Sequence, residues 1–205
     1  MRKIILSVIL ITILVLSVFS IYFQSEATAL GAHVVALKLD TGDTAWMIVA
    51  SALVLIMTPG LGFFYGGMVG KKNVISTMLQ SFMAMVIVTV LLILVGFGLC
   101  FGPSVGGIIG DPSSNFMFDG VNSTTAWELA PTIPFILFAF FQAKFAIITP
   151  ALITGAFAER VRFWAYLLFM VLFILVIYAP LCHMTWHPDG LFFGWGVLDF
   201  AGGTV

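Results

Sequence analysis

The stretch Phe140-Phe-Gln-Ala-Lys-Phe-Ala-Ile-Ile-Thr-Pro-Ala-Leu-Ile-Thr-Gly-Ala-Phe-Ala-Glu-Arg-Val-Arg162 decides how this chain is read. Its one charge is Lys144 until it reaches a compact charged exit, Glu159-Arg160-Val161-Arg162. At ~100° per residue, Phe138, Phe141, Phe145 and Thr149 fall within about a quarter turn, so they share one helix face. Lys144 lies on the edge of that face. It is roughly 20 Å of helix rise from Glu159, farther than its stem can snorkel. A lysine at mid-bilayer costs about 2.5–3.5 kcal/mol on insertion scales and normally turns to the protein interior or to water.

The composition generalises that reading. The 205 residues are 61% hydrophobic and 8% charged, whereas soluble domains carry about a quarter charged residues. A chain with so little charge has lipid as its solvent, and the fold class is an all-α membrane protein. The formal net charge of -1 offers no basic patch and excludes nucleic-acid partners. The 21 phenylalanines and 20 glycines suit helices that approach through small residues and fill gaps with rings. Cys100 and Cys182 are too few and too far apart for a disulfide framework or a zinc site. Both lie near the outer ends of their spans, so a bridge between them is conceivable beside the simpler expectation of free thiols.

Taken in order, residues 1–29 begin with Arg2-Lys3, run apolar from Ile4 to Phe23 and close on Ala27-Thr28-Ala29. That is the pattern of a secretory signal peptide, and its roughly 20 apolar residues would also serve as an uncleaved anchor. Residues 30–44 then form an extracytoplasmic lead-in, with the N-terminus of the mature chain outside. Four spans follow, near 45–69, 74–101, 132–158 and 163–182, and a fifth is expected to start at Asp199, where the chain soon stops. Lys71-Lys72 and Arg160/Arg162 occupy alternate loops, which the positive-inside rule assigns to the cytoplasm. The 102–130 and 183–198 loops are thereby outside. In the first span, Pro59, Gly60, Gly62, Gly66 and Gly67 require cover from neighbouring helices, either for close packing or for a bend that lines a path.

Three blocks give this chain a family resemblance. They are Thr58-Pro-Gly-Leu-Gly-Phe-Phe-Tyr-Gly-Gly67, Phe141-Gln142 with Phe145 through Arg160, and His183-Met-Thr-Trp186 leading to Leu198-Asp-Phe-Ala-Gly-Gly-Thr-Val205. Together they resemble the ammonium transporter family (Amt/Mep/Rh) over roughly residues 44–205, in register. The resemblance implies the first half of an eleven-helix inverted-repeat bundle, with residues 45–205 an incomplete ammonium transporter domain. It also implies a homotrimer in the full-length protein, ammonium or ammonia as substrate, a bacterial inner (plasma) membrane location, and a cytoplasmic PII-type nitrogen regulator as partner. No cofactor is implied. The first pore histidine of the family follows shortly after the position of Val205, so none of His33, His183 and His187 takes that role. A half bundle of this kind is expected to be poorly stable alone.

By resemblance, Phe141 and Phe145 form the gate above the pore, Trp186 lines the outer vestibule, and Asp199 supports it. Aromatic faces attract a partly dehydrated cation by roughly 0.5–2 kcal/mol per contact. A dry site then favours neutral ammonia over ammonium. Each residue also has a plainer role: core packing for the rings, an interfacial anchor for Trp186, a helix N-cap for Asp199. Lys144 departs from the family pattern, which has a small or apolar residue there. As a modulator it would repel or replace ammonium at the gate and convert conduction into sensing; otherwise it turns to an interface. Cys182-His183 beside His187 invites a metal, since two histidines at four-residue spacing can ligate from one helix face; but Pro188 follows, no third or fourth ligand is evident, and no metal ligands are assigned. No nucleophile–base pair occurs in the spans, so no enzyme is expected.

Overall fold

The computed structural model describes residues 33–205; the basic–apolar segment of residues 1–29 and residues 30–32 of the lead-in lie outside the described residues. Four helices are long and apolar enough to cross a membrane. A short strand, β1 (Val34–Ala36), leads into α1 (Thr41–Met68). This helix begins earlier than the expected residue 45 because Asp40 caps it, its carboxylate accepting the Asp43 N–H at 2.8 Å. The second helix, α2 (Val74–Phe101), has the expected bounds and contains a π-helical turn at Leu92–Gly96. Two small ribbons follow. β2 (Ser104–Val105) pairs with β3 (Ile109–Gly110), and β4 (Thr125–Trp127) returns to pair antiparallel with β1, setting Trp127 opposite Val34.

The third helix, α3 (Phe135–Phe157), is interrupted at Ile153, three residues past Pro150. There the Ala156 N–H bonds the Ile153 carbonyl, which leaves the Leu152 carbonyl without its helical donor. The Tyr65 hydroxyl of α1 supplies one at 2.7 Å. Lipid offers no substitute for such a bond. The fourth helix, α4, comprises Phe163–Leu172, a π-helical turn at Phe173–Tyr178 and Ala179–Trp186. It outlasts the expected end at residue 182 and stops where His187 turns extended (φ -84°, ψ 137°) ahead of Pro188. After a single turn, α5 (Leu191–Gly194), residues 199–205 are turn and coil. The expected fifth helix is not formed among the described residues; Gly202 has φ 71°, and each glycine of the Gly202-Gly203 pair disfavours helix by about 1 kcal/mol relative to alanine.

At the centre, α2 packs on α1, α3 and α4. Its buried Thr77, Gln80, Ser81, Ala84, Val88 and Leu91 recur at helical spacing on one face. The glycines of α1 divide into two kinds. A Cβ on Gly62 would stand 3.3 Å from the Ser81 Cβ, and one on Gly66 would stand 2.8 Å from the Met78 Cγ, whereas Gly60 and Gly67 face open space. Close packing therefore accounts for the first pair. Most of α1 presents apolar side chains outward, among them Trp46, Leu53, Ile56 and Phe63.

The two ends of the bundle differ. At one, Glu159 accepts the Gly70 N–H at 2.7 Å and an Asn73 amide N–H at 3.0 Å, joining the two basic turns. The Asn73 and Gly70 bonds hold its carboxyl below the usual carboxylate range. At the other end Trp127 is buried and stacks on Phe135 and Phe138, with ring centroids 6.0 and 5.6 Å away. Cys100 and Cys182 are buried free thiols, behaving as small hydrophobes.

Removing the Tyr65 hydroxyl tests the repair at the α3 break. Tyr65→Phe leaves the Leu152 carbonyl without a donor and is expected to cost about 1–3 kcal/mol, lowering the thermal midpoint in detergent. Gly66→Leu, which drives a side chain into Met78, is expected to destabilise by a similar 1–3 kcal/mol through overpacking. An unchanged midpoint in Tyr65→Phe would show that the carbonyl finds another donor.

Candidate functional site

One turn apart on α3, Phe141 and Phe145 hold their rings 4.9 Å apart at 75°, edge to face. They wall a cavity of about 650 Å³ that Phe138, Trp186, Asp199 and Phe200 also line. Trp186 is the last residue of α4, and its indole N–H donates to Asp199 Oδ2 at 2.7 Å. The same oxygen accepts the Thr204 N–H at 3.4 Å. Burial would raise the Asp199 pKa, but the bonds from Trp186, Thr204 and Gly203 prevail and hold it below the ordinary aspartate value. The four residues selected from the sequence thus border one cavity. Asp199 does so by fastening the 199–204 turn to Trp186, not by capping a helix.

Lys144 stands apart from them. It is buried, it does not line this cavity, and its Nζ lies 3.3 Å from the centroid of the Phe140 ring. Phe140 and Lys144 form one stripe of α3 and Phe141 and Phe145 the next, so the ammonium head is paired with a ring on the neighbouring stripe.

Two residues of the cavity escaped the sequence reading. Gln142 and Thr185 line it, and their Oε1 and Oγ1 atoms are buried without a hydrogen-bond partner among the described residues. An unmet buried acceptor costs about 1–3 kcal/mol, so each is a candidate acceptor for an N–H of a small bound cation. A lone amide within an apolar span was the available signal for Gln142. Thr185 carried none, since hydroxyls are common at helix ends.

A second constellation lies at the Trp186 end of α4. His183 is buried between the Cys100 carbonyl, 3.0 Å from Nδ1, and the Ser104 hydroxyl, 2.9 Å from Nε2. Its ring stacks on His187 at 4.3 Å. His187 Nδ1 accepts the Asp189 N–H at 3.1 Å. His33 is wedged between two carboxylates, Nδ1 to Glu128 Oε2 at 2.5 Å and Nε2 to Asp189 Oδ2 at 2.7 Å. Burial alone would lower the His33 pKa, but the bonds from Asp189 and Glu128 outweigh it and raise it above the ordinary histidine value. Sequence spacing grouped Cys182, His183 and His187; the fold instead brings His33 and Asp189 to His187.

Four membrane-length helices, three of which contribute to an aromatic-walled cavity, define a multi-pass helical membrane protein. The model of the Ammonium Transporter Family matches residues 45–205, and the chain belongs to that family. It is 46% identical over 187 residues to an ammonium transporter of Mycobacterium tuberculosis, an alignment covering 81% of this chain and 39% of the relative. Among solved structures it resembles Mep2 of Candida albicans, with TM-score 0.71 and 34% identity over 81% of this chain and 36% of that one. It also resembles a structure described as a sensor Amt protein, with TM-score 0.68 and 31% identity over 77% of this chain and 38% of that one. The chain spans about two fifths of the length of the curated relatives it matches.

The Asp199–Trp186 tie has a pH signature. A carboxyl whose pKa is depressed by folding contributes stability that is fully present above the ordinary aspartate value of about 3.9 and is lost as pH falls through the lower folded value. Thermal midpoints in detergent, followed from pH 6 to about pH 2, should therefore fall on the acid side. In Asp199→Asn that fall should be shallower, and an identical acid limb would remove the tie as a contributor.

Proposed function

We propose that this chain forms the outer recruiting half of a pathway for ammonium and ammonia across the membrane. The observation that carries the reading is the meeting of Phe141, Phe145, Trp186 and Asp199 on one mostly apolar cavity that also holds the unmet acceptors of Gln142 and Thr185. In this reading the rings of Trp186 and the Phe pair attract the cation, and the two acceptors take its N–H groups in place of lost water. The dry surroundings disfavour its charge and promote loss of the proton before passage past Phe145. The family membership and the relatives named as ammonium transporters support the substrate. Joining of the two basic turns at one end supports an orientation with that end in the cytoplasm.

A second reading, an ammonium sensor with impaired conduction, has its support in the similarity to a sensor Amt protein and in the buried Lys144 beside the gate. The placement of its head on Phe140, away from the cavity lining, favours conduction.

Methylammonium uptake by the full-length protein separates the two. Trp186→Leu should raise KM about 2- to 30-fold, the equivalent of one cation–π contact of about 0.5–2 kcal/mol. Lys144→Met should leave uptake within about twofold, as expected of an exchange outside the pathway. A rise of tenfold or more in Lys144→Met would favour the sensor, and an unaltered KM in Trp186→Leu would count against the vestibule.

A further inference from the structure

We propose that His33, His187 and Asp189 form a zinc-binding site at the outer end of the bundle, with Glu128 orienting His33. One ligand atom from each of the three lies within 4.8 Å of the others. His33 faces carboxylate oxygens with both ring nitrogens, Glu128 from Nδ1 and Asp189 from Nε2. A neutral imidazole has a single N–H. Two carboxylates therefore demand a second positive centre, either another proton or a metal ion between Nε2 and Asp189.

The surroundings favour the metal. A proton would need only the Asp189 carboxylate, whereas a metal also draws on His187, buried at the same point, whose ligation through either nitrogen would replace the bond its Nδ1 now accepts from the Asp189 N–H. Two imidazoles and a carboxylate are the donor set of a three-ligand zinc site whose fourth position takes water, and they do not suit magnesium or calcium. The Glu128–His33 bond fixes the Nδ1–H tautomer and leaves Nε2 free to ligate, as a carboxylate behind a metal-bound histidine does. Asp189 and Glu128 are exposed, with side chains 58% and 49% accessible, so an ion reaches the site from water. Ligands in a tetrahedral zinc site stand about 3.3 Å apart, given Zn–N distances of about 2.0–2.1 Å. On binding, His33 Nε2 and Asp189 Oδ2, now 2.7 Å apart, would open to about 3.3 Å, while the widest-spaced ligand pair, within 4.8 Å, would close by up to about 1.5 Å. The ion would clasp the lead-in strand, through His33, to the turn after α4. Because His187 follows Trp186 directly, the clasp would also restrain the vestibule tryptophan.

The test reads binding and does not depend on transport. The tag-free full-length protein in detergent, stripped with chelator and held at pH 8 so that the ligands are deprotonated, is titrated calorimetrically with zinc chloride and separately with magnesium chloride. One zinc per chain with Kd of about 10 μM or tighter, no magnesium heat, and the visible absorption of four-coordinate cobalt(II) are expected. His33→Gln and Asp189→Asn should each weaken zinc at least about tenfold, and Glu128→Gln about 10–100-fold. Size-exclusion profiles and thermal midpoints show whether each variant is folded. Zinc binding weaker than about 100 μM, or undiminished in the His33→Gln/Asp189→Asn double variant, overturns the proposal and leaves His33 as a doubly protonated clamp.

Discussion

Trp127 lies flat against Phe135 and Phe138 and meets Phe101 edge to face, and most of the half of the structure opposite the basic turns depends on that contact. The indole belongs to β4, so its burial pins the loop between α2 and α3 and the paired strand β1 onto the start of α3. It also walls the aromatic cavity and sits 5.6 Å from His187 and 5.9 Å from His33. A large aromatic surface removed from water is worth several kcal/mol, much more than any single polar contact around it. The polar groups of both constellations are consequently held by an apolar plate. That explains how exposed carboxylates such as Asp189 and Glu128 keep fixed partners.

The second constraint is the backbone. With no water in the bilayer core, each interruption of a helix needs a repair. The π-helical turns of α2 and α4 keep their bonds internal at the cost of an extra residue per turn. The break in α3 does not, and Tyr65 reaches across from α1 to bond Leu152. Gly155 permits this approach, since a Cβ there would stand 2.6 Å from the Tyr65 ring. The glycine and tyrosine of the two family-like blocks are thus explained by one contact between them.

Much of this was legible in the chain, for physical reasons that can be named. Spans were readable because lipid exposure forces long apolar runs, and α2 has the expected bounds because lysines and a Gly/Ser-rich loop frame it. Phe141 and Phe145 were readable as one face because helical period fixes side-chain direction. What pattern could not reach were contacts between distant segments. His33 meets Asp189 across 156 positions, and nothing local in either marks the other. The unmet oxygens of Gln142 and Thr185 are likewise properties of a cavity, visible only once its walls are assembled. The end of α4 was misplaced because a histidine-rich polar stretch looks like a loop, yet His183 is buried by bonds to Cys100 and Ser104.

Lys144 shows how neighbouring stripes on one helix can carry opposite demands. The stripe of Phe141 and Phe145 must stay free of fixed positive charge if a cation is to approach it, because like charges at a few ångströms in a poorly solvated site repel strongly. A lysine one position from Phe145 threatens that condition. The threat is met by stem direction: the side chain lies back one turn onto Phe140, whose ring face takes the ammonium head at 3.3 Å. The interaction supplies part of what lost hydration would have given, and Phe140 is half exposed toward the bundle's surface. The aromatic content that lets α3 wall a cavity on one stripe therefore also lets it carry a buried charge on the next. Without Phe140, the ammonium head would lose that ring and the buried charge would need another partner.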